Sequence, residues 1–376
     1  MVFKIKHKDR KTCARVGVLK TKSVSVETPF FMPVATKSAV KYVDSLRLKE
    51  MRVGAVISNA FILFIRPGVE VVKKMGGIGK FMNFKGVNFS DSGGFQMYSK
   101  SLYLKSNDKG VWFKNPVSGE KIFMTPEENM KIQIDLGADV AMCLDSMPLY
   151  EDSKKEIREA VEKTSLWAGR CKKEHDKLQV GVEKGERQLL FGITQGGIYK
   201  DLRRESVCDL LKLNFDGYAI GGFGMGESFK EEMKIVKEQK KVIPKDKPVY
   251  LMGIGNPVEI LEAISFGCDC FDSRYPTQSA RRGTLFTSKG KLRILNKKFE
   301  KDDRAIDSNC DCFVCKNYSR AYIRFLLKEG EGVGMELASY HNLYYLMRLM
   351  ENAREAIKKG KFKEFKDGVR KVYGEL

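Results

Sequence analysis

The fold is indicated most clearly by the stretch Asp139-Val140-Ala141-Met142-Cys143-Leu144-Asp145, an apolar run of strand length that ends in an acid. Similar short apolar runs recur along the chain, and each is followed by a loop and a segment of helical character. They cover residues 55–59, 87–91, 189–195, 217–222, 249–253, 268–272 and 283–287. Eight alternations of strand and helix predict an α/β fold with a parallel (β/α)8 TIM barrel. A doubly wound open sheet is the alternative.

The segments between these runs carry helix start signals. Thr125-Pro126-Glu127-Glu128 places a capping hydroxyl before a proline, with two acids near the positive end of the helix dipole. Asn256-Pro257 repeats the arrangement, and residues 152–171 form a long amphipathic segment. Helices therefore separate the strands, as a barrel requires.

The remaining segments suggest additions to one catalytic domain that spans residues 1–376. Residues 1–52 contain alternating apolar positions and predict a small antiparallel cap at the base of the barrel, whose core covers residues 53–308. Residues 309–345 are expected to form a zinc-binding subdomain, and residues 346–376 a helical tail.

A metal site is indicated by Cys310-Asp311-Cys312-Phe313-Val314-Cys315, which is followed along the chain by His341. Three thiols from one tight turn and an imidazole from a separate helical segment form a complete tetrahedral ligand set for zinc. Because four protein ligands leave no open position, we predict one structural Zn2+ per chain. Buried free thiols or a disulfide are the alternatives.

The chain is strongly basic. Its 376 residues carry a formal net charge of +20, from 68 Lys and Arg against 48 Asp and Glu. This excess favours a polyanionic partner, although a generally lysine-rich composition would give the same number. The first ten residues lack the apolar block of a signal peptide, and no apolar run approaches the length of a membrane span. We therefore expect a cytoplasmic protein with no membrane partner.

Polar residues stand at the carboxyl ends of several predicted strands. They are Asn59, Asp91, Asp145, Gln195, Gly221, Gly222 and Asp272. Barrel enzymes build their active sites at this rim, so we expect the folded chain to gather these side chains. Two carboxylates suit chemistry at a sugar anomeric carbon, where one attacks and the other manages the proton of the leaving group. The third can accept hydrogen bonds from the N–H groups of a heterocycle.

Four motifs together give the chain a family resemblance. They are Asp91-Ser92-Gly93-Gly94-Phe95-Gln96, Gln195-Gly196-Gly197, Phe271-Asp272-Ser273-Arg274-Tyr275-Pro276-Thr277 and the ligand set Cys310, Cys312, Cys315 and His341. From about residue 16 to residue 341 the chain resembles the bacterial tRNA-guanine transglycosylases, the queuine tRNA-ribosyltransferase family. The resemblance implies a pentosyltransferase built on a zinc-containing barrel.

The resemblance also implies a role for each rim residue. Asp272 would be the nucleophile on C1′ of guanosine 34 in a tRNA anticodon, and Asp91 would be the general acid and base. The base would be bound by Asp145, Gln195, Gly222, Phe95, Met252, Ser92 and Asn59. Phosphates would be contacted by Arg274, Arg281 and Arg282, for which an exposed, solubilising role is the alternative.

The implied partners follow from the same resemblance. The enzyme would exchange guanine 34 of tRNAs with G-U-N anticodons for 7-aminomethyl-7-deazaguanine, through a covalent tRNA intermediate in queuosine biosynthesis. It would act as a homodimer. The alternatives are direct use of queuine, a non-catalytic tRNA-binding partner subunit, and an unrelated zinc-containing barrel that processes sugars. Retention of three acids argues against a silent subunit.

The chain departs from the bacterial pattern near the base and near the dimer contact. Ile62 stands where the family usually has a histidine close to that contact, and Gln278 stands where an arginine is usual. Met147 and Met225 replace the usual cysteine and valine beside the 7-substituent, which leaves the choice between the aminomethyl base and queuine open. Glu227 can receive an amine and favours the aminomethyl base.

Overall fold

The computed structural model describes residues 2–97, 101–148, 150–223 and 226–374, and for residues 95–96 it describes the backbone alone. These residues contain sixteen strands. They are β1 (Phe3–Lys8), β2 (Arg15–Lys20), β3 (Ser25–Thr28), β4 (Phe30–Pro33), β5 (Ala55–Asn59), β6 (Val87–Asp91), β7 (Tyr103–Asn107), β8 (Gly110–Lys114), β9 (Lys121–Met124), β10 (Val140–Met142), β11 (Leu189–Thr194), β12 (Gly217–Ile220), β13 (Val249–Leu251), β14 (Cys270–Ser273), β15 (Thr284–Thr287) and β16 (Gly290–Arg293).

The same residues contain fifteen α-helices and one short 3-10 helix, Lys297–Phe299. The α-helices are α1 (Ser45–Glu50), α2 (Ala60–Ile65), α3 (Val69–Lys74), α4 (Ile78–Phe81), α5 (Gly94–Met97), α6 (Pro126–Asp135), α7 (Lys154–Leu178), α8 (Lys200–Leu211), α9 (Phe229–Val242), α10 (Pro257–Ser265), α11 (Tyr275–Arg281), α12 (Phe313–Asn317), α13 (Arg320–Lys328), α14 (Gly332–Lys358) and α15 (Phe362–Tyr373). Thr125 and Asn256 cap α6 and α10, as their sequence signals predict.

Eight of the described strands form a parallel barrel, and each is followed by at least one helix. The order around the barrel is β4, β5, β6, β10, β11, β12, β13 and β14. The two ends of this sheet meet through a parallel bridge between Val34 and Ile57, where the Ala35 N–H donates to the Ile57 carbonyl at 2.7 Å. Because this contact brings the two edges together, the predicted barrel is confirmed over the doubly wound sheet.

One barrel strand differs from the prediction. Strand β4, which the sequence pattern assigns to the N-terminal cap, pairs in parallel with β14 along its whole length. Residues 283–287, predicted to be the eighth barrel strand, instead include β15, which pairs with β16 outside the barrel. The tight turn at Ser288 and Lys289 lets the chain reverse at once and pair with itself. The eighth position in the barrel is already filled by β4.

Two antiparallel sheets flank the barrel. The predicted N-terminal sheet is β1–β2–β3, and its residues Phe3 and Leu19 pack against the barrel interior. Arg15 on β2 donates through Nε and Nη2 to the two carboxylate oxygens of buried Asp269, at 2.9 and 2.5 Å. The other sheet, β7–β8–β9, is inserted between β6 and α6 and was not predicted.

Apolar side chains fill the barrel interior, which is therefore a core and not a channel. Met32, Ile57 and the ring of Phe89 belong to this core. The Phe89 ring lies 5.8 Å from the Phe191 ring and 6.1 Å from the Tyr250 ring, in both cases edge to face. A second apolar layer lies between the barrel and its helices. The polar strand ends are held above these two layers at one rim.

Helix α14 crosses residue 346, where the sequence pattern places the start of the helical tail. The segments predicted as zinc-binding subdomain and tail therefore share one helix, and α15 follows it. Their division stays a prediction about domain organisation. No helix within the described ranges combines the length and apolar character that a membrane span needs.

Candidate active site and metal centre

A cavity of about 530 Å3 opens at the carboxyl ends of the barrel strands. All three rim aspartates, Asp91, Asp145 and Asp272, line it, although more than 50 residues separate each from the next along the chain. Its lining also includes Asn59, Gln195, Gly221, Gly222, Met252 and Arg274. The fold thus brings together the polar residues that stand at separate strand ends.

Asp272 accepts two hydrogen bonds on one carboxylate oxygen. The Tyr250 hydroxyl donates to Oδ1 at 2.6 Å, and the Gly253 N–H donates to the same atom at 2.9 Å. Burial raises the pKa of Asp272, while the two donors and the positive charge of Arg274 oppose that rise. No donor among the described residues reaches Oδ2, so the lone pairs of that oxygen are available to a reacting atom.

Asp91 is held by a side-chain amide. Asn59 Nδ2 donates to Asp91 Oδ2 at 3.0 Å, and Asn59 Oδ1 accepts the Ile62 N–H at 2.9 Å at the start of α2. These two bonds fix the orientation of the amide. Burial, followed by the negative charges of Asp145 and Asp272, raises the pKa of Asp91 to about 7. Near neutral pH this carboxyl group can therefore both donate and accept a proton.

Asp145 is paired with Gln195. The Gln195 Nε2 donates to Asp145 Oδ2 at 2.6 Å, and the Gln195 backbone N–H donates to Ser206 Oγ at 3.0 Å. Burial raises the pKa of Asp145 to about 6, and the hydrogen bond from Gln195 opposes that rise. Gln195 Oε1 is buried with no hydrogen-bond partner among the described residues. A buried acceptor without a partner costs folding free energy, so a ligand that donates to it is favoured here.

Two glycines make room for these polar groups. A Cβ atom on Gly94 would lie 2.6 Å from Asp145 Oδ1. A Cβ atom on Gly222 would lie 2.4 Å from Gln195 Oε1, and Gly222 also has a φ of +71°, which side chains with a Cβ disfavour. Gly94 and Gly222 are therefore needed where the backbone approaches Asp145 and its amide partner.

Arg203 on α8 is a site residue that sequence analysis missed. It is buried, and its guanidinium donates to the carbonyls of Gly197 and Gly221, both at 2.7 Å, and of Gly222 at 3.3 Å. The guanidinium also lies 4.2 Å from the Phe223 ring centroid. Burial lowers the pKa of Arg203 to about 9, so the group stays cationic at neutral pH. It holds the two glycine loops that border the cavity.

A signal for Arg203 was present in the sequence. On α8 it shares its buried face with Leu202, Ser206, Val207 and Leu210. A charged residue on an otherwise buried helix face requires internal partners, and the nearby glycine loops offer carbonyls.

A second missed group lies behind the rim on α6. Asn129 Nδ2 donates to the Ser92 carbonyl at 2.9 Å, and Gln133 Nε2 donates to the Met142 carbonyl at 2.8 Å. Gln133 Oε1 accepts from Ser90 Oγ at 2.6 Å. Helix α6 thereby fastens the carboxyl ends of β6 and β10, the strands that lead to Asp91 and Asp145.

Not all of the other residues predicted to bind the base or the phosphates lie at the cavity. Ser92 is buried, and its Oγ accepts the Gly94 N–H at 3.3 Å. Arg281 and Arg282 lie at the far end of α11, away from the cavity lining, and the Arg281 guanidinium lies 5.7 Å from the Tyr42 ring centroid. The side chain of Phe95 lies outside the described residues.

The departures from the bacterial pattern concentrate at the cavity. Ile62, Met147 and Gln278 all line it. Met225, predicted beside the 7-substituent, lies outside the described residues. The apolar side chains of Ile62 and Met147 therefore border the cavity in which a ligand would bind.

The predicted metal ligands converge in a separate cluster. The sulfurs of Cys310, Cys312 and Cys315 lie 4.0, 3.6 and 3.4 Å from His341 Nδ1, and all four ligand atoms lie within 4.8 Å of one another. These spacings fit one ion, because zinc–sulfur and zinc–nitrogen bonds are about 2.3 and 2.1 Å long. His341 Nε2 donates to the Phe286 carbonyl at 2.7 Å, which leaves the Nδ1 lone pair for a metal.

The residue after His341 connects this cluster to the barrel. Asn342 Nδ2 donates to the Pro276 carbonyl at 2.9 Å, and Asn342 Oδ1 accepts the Phe286 N–H at 2.9 Å. Pro276 belongs to α11, the helix that follows Asp272. One turn of α14 thus contacts both the metal cluster and the helix next to that aspartate.

The comparison with known proteins covers almost the whole chain. A family model described as queuine tRNA-ribosyltransferase matches residues 9–375. The chain belongs to the queuine tRNA-ribosyltransferase family. A queuine tRNA-ribosyltransferase of Lysinibacillus sphaericus (strain C3-41) is 44% identical over 372 residues, covering 99% of this chain and 96% of the relative. The protein of that name from Bacillus subtilis (strain 168) is 43% identical and covers 97% of this chain and 94% of the relative.

Family membership confirms the resemblance that the four motifs predict, and it makes the chain a transferase of the tRNA-guanine transglycosylase type. Membership also agrees with the Cys3His cluster, whose capacity to bind a metal ion follows from its geometry.

We expect this transglycosylase to contain about one metal ion per chain, held by the Cys3His cluster. Cys312→Ser should lose the ion and lower the melting temperature, because structural metal binding contributes folding free energy. Cys208→Ser is the control, since Cys208 is exposed and outside the cluster. Metal analysis and thermal unfolding measure both effects. A Cys312→Ser protein that retains a full metal equivalent would rule out this ligand set.

Proposed function

We propose that the protein exchanges guanine 34 of tRNAs with G-U-N anticodons for 7-aminomethyl-7-deazaguanine, as a step of queuosine biosynthesis. The observation that carries the proposal is the gathering of Asp91, Asp145 and Asp272 around one cavity, beside the unpartnered acceptor of Gln195. Membership in the family supports tRNA as the polymer. The net charge of +20 supports a polyanionic substrate.

Asp272 is the proposed nucleophile. Its Oδ1 is held by the Tyr250 hydroxyl and the Gly253 N–H, which leaves Oδ2 for attack on C1′ of the ribose. The C1′–N9 bond to guanine breaks as the Oδ2–C1′ bond forms, giving a covalent tRNA–enzyme ester. Hydrogen bonds to Oδ1 favour the ionised carboxylate that this attack requires.

Asp91 is the proposed general acid and base. In the first displacement its proton passes to the departing guanine. In the second, its carboxylate takes the proton from N9 of the incoming base, which attacks C1′ and releases Asp272. The pKa of Asp91, raised to about 7 by burial and by the neighbouring carboxylates, suits both transfers. Two displacements at one carbon retain its configuration.

The base is proposed to lie between the glycine loops and Asp145. The Asp145 carboxylate and the unpartnered Gln195 Oε1 can accept from the ring N–H and amino group of a guanine-like edge, while the Gly222 N–H can donate to its carbonyl. Gly222 has no side chain to block a flat ring. Met252, with Phe95, is proposed to cover the faces of the ring, and Ser92 and Asn59 to complete the pocket. Arg274, Arg281 and Arg282 are the proposed phosphate contacts.

The Cys3His cluster is proposed to hold Zn2+ in a structural role. Sulfur and imidazole ligands suit zinc, and four of them close its coordination sphere. The chemistry at the barrel rim then belongs to the aspartates.

We further propose a homodimer in the cytoplasm, where tRNA is available. Apolar side chains are exposed around helix α13, including Tyr322, Phe325 and Val333. A cluster of this kind is typical of a protein–protein contact. The resemblance places Ile62, in the position of the family's usual histidine, near the dimer contact, so the details of that contact are expected to differ from those in the family while the dimer itself is retained.

The guanine exchange reaction tests the nucleophile. Wild-type protein should incorporate radiolabelled guanine into a tRNA with a G-U-N anticodon, whereas Asp272→Ala should lose the activity by more than about 1,000-fold. Asp246→Asn, which changes an exposed loop acid, serves as the control. Normal exchange by Asp272→Ala would refute the assignment. No exchange by the wild type would instead favour a non-catalytic tRNA-binding subunit.

The choice of incoming base is tested by competition. Because Glu227 can pair with an amine, 7-aminomethyl-7-deazaguanine should inhibit guanine exchange at a concentration about tenfold lower than queuine does. Glu227→Gln should remove most of that difference, and Met147→Cys should not. Equal inhibition by both bases in the wild type would end the argument for the aminomethyl base and support queuine salvage.

The pH dependence of kcat/KM tests the pair of carboxyl roles. Asp91 must carry its proton in the first displacement, so kcat/KM should fall as pH rises through about 7. Asp272 must be ionised for its attack, so kcat/KM should also fall as the pH decreases on the acid side. Initial rates of guanine exchange from pH 4.5 to 9 measure both limbs. A rate that is constant from pH 6 to pH 9 would contradict the proposed role of Asp91.

A further inference from the structure

A second, strongly basic concavity lies beside the β15–β16 hairpin. Its volume is about 590 Å3, and Asp307 is the one carboxylate among its described lining residues. Six cationic side chains line it, and together they are called the hairpin surface: Lys289, Lys291, Arg293, Lys298, Arg304 and Arg320. None of these residues takes part in the chemistry proposed at the barrel rim.

Carboxylates offset only part of this positive charge. Arg304 and Arg320 share the carboxylate of Asp302, at 2.7 and 3.1 Å. Asp307 accepts from the backbone and hydroxyl of Ser288, at 2.6 and 2.8 Å.

The other four cationic side chains have no carboxylate oxygen within 4 Å of their nitrogen atoms, among the residues that the structure describes. They are Lys289, Lys291, Arg293 and Lys298. The charge of Lys291 also opposes the rise in the pKa of the partly buried Glu259 carboxyl group, so the surface carries an excess of cations and not an unbroken set. Such an excess of like charges favours binding of a further anion.

The hairpin surface is spaced for a chain of phosphates. Lys291 and Arg293 are two residues apart on β16, so their side chains project from the same face about 7 Å from each other. Successive phosphates of an RNA strand are separated by a similar distance. Basic residues arranged in this way bind a backbone without reading its bases.

The hairpin surface is also continuous with the mouth of the active-site cavity. Lys291 Nζ lies 5.7 Å from the ring centroid of Tyr275. Tyr275 lines the active-site cavity together with Arg274. A nucleotide strand that leaves this cavity over Tyr275 therefore meets Lys291 first and then the rest of the surface.

We propose that the hairpin surface binds the phosphate backbone of the tRNA anticodon stem, on the strand that leaves the active-site cavity. The inference rests on the proposed function, because it takes the base in the cavity to belong to the anticodon loop. The loop occupies the barrel rim, so the phosphates that reach the hairpin belong to the adjoining stem. The surface adds affinity and orientation and takes no part in bond making.

Charge reversal tests the proposal. Lys289→Glu, Lys291→Glu and Arg293→Glu should each raise the KM for tRNA about fivefold, and each should reduce the slope of log KM against log salt by about one. The kcat and the KM for the incoming base should stay within twofold of the wild type. Lys6→Glu is the matched control, because Lys6 is an exposed lysine on β1, another antiparallel strand, in the N-terminal sheet.

A binding measurement separates this inference from the proposed function. Fluorescence anisotropy with an anticodon stem-loop RNA should show a loss of about 100-fold for the triple variant, and a loop RNA without the stem should show little change. An equal loss with Lys6→Glu, or an equal loss with the stemless RNA, would overturn the proposal. A protein that exchanges no guanine but shows this stem-dependent loss would refute the proposed function and leave the surface standing.

Discussion

Three carboxyl groups are buried around one cavity, and the cost of keeping charge there is the constraint on which the surrounding structure depends. Each carboxylate accepts hydrogen bonds from different donors. Asp272 accepts from Tyr250 and Gly253. Asp91 accepts from Asn59, and Asp145 accepts from Gln195. Unequal environments separate the protonation behaviour of the three groups. The barrel is suited to this arrangement because its strands deliver residues from distant parts of the chain to one rim.

Much of this arrangement could be predicted because barrel strands leave a repeated pattern. Seven of the eight strands were located from short apolar runs, and the rim aspartates stand where those runs end. The error at β4 has a physical cause, since residues 30–33 and 283–287 are equally strand-like and differ in their partners. Local sequence does not specify whether a strand pairs in a barrel or with the next strand of a hairpin.

The site residues that escaped prediction are those whose importance depends on burial. Arg203 on a largely apolar helix face indicates a need for internal partners but not which ones, and Tyr250 resembles any other strand aromatic. Only the fold shows that the guanidinium of Arg203 holds two glycine loops, and that the hydroxyl of Tyr250 reaches Asp272. Asn129 and Gln133 are similar cases, because their amides act between α6 and two strands distant in sequence. Strand-end motifs identify the groups at the rim but not the supports behind them.

The adjacent positions of His341 and Asn342 on α14 have a consequence for how the newly made protein matures. His341 lies among the three cysteines, while Asn342 fastens α11 and β15. Uptake of an ion by the cluster would fix this turn of α14 and with it the helix that follows Asp272. A chain that folds without the ion would then lack a fixed support for the helix beside Asp272.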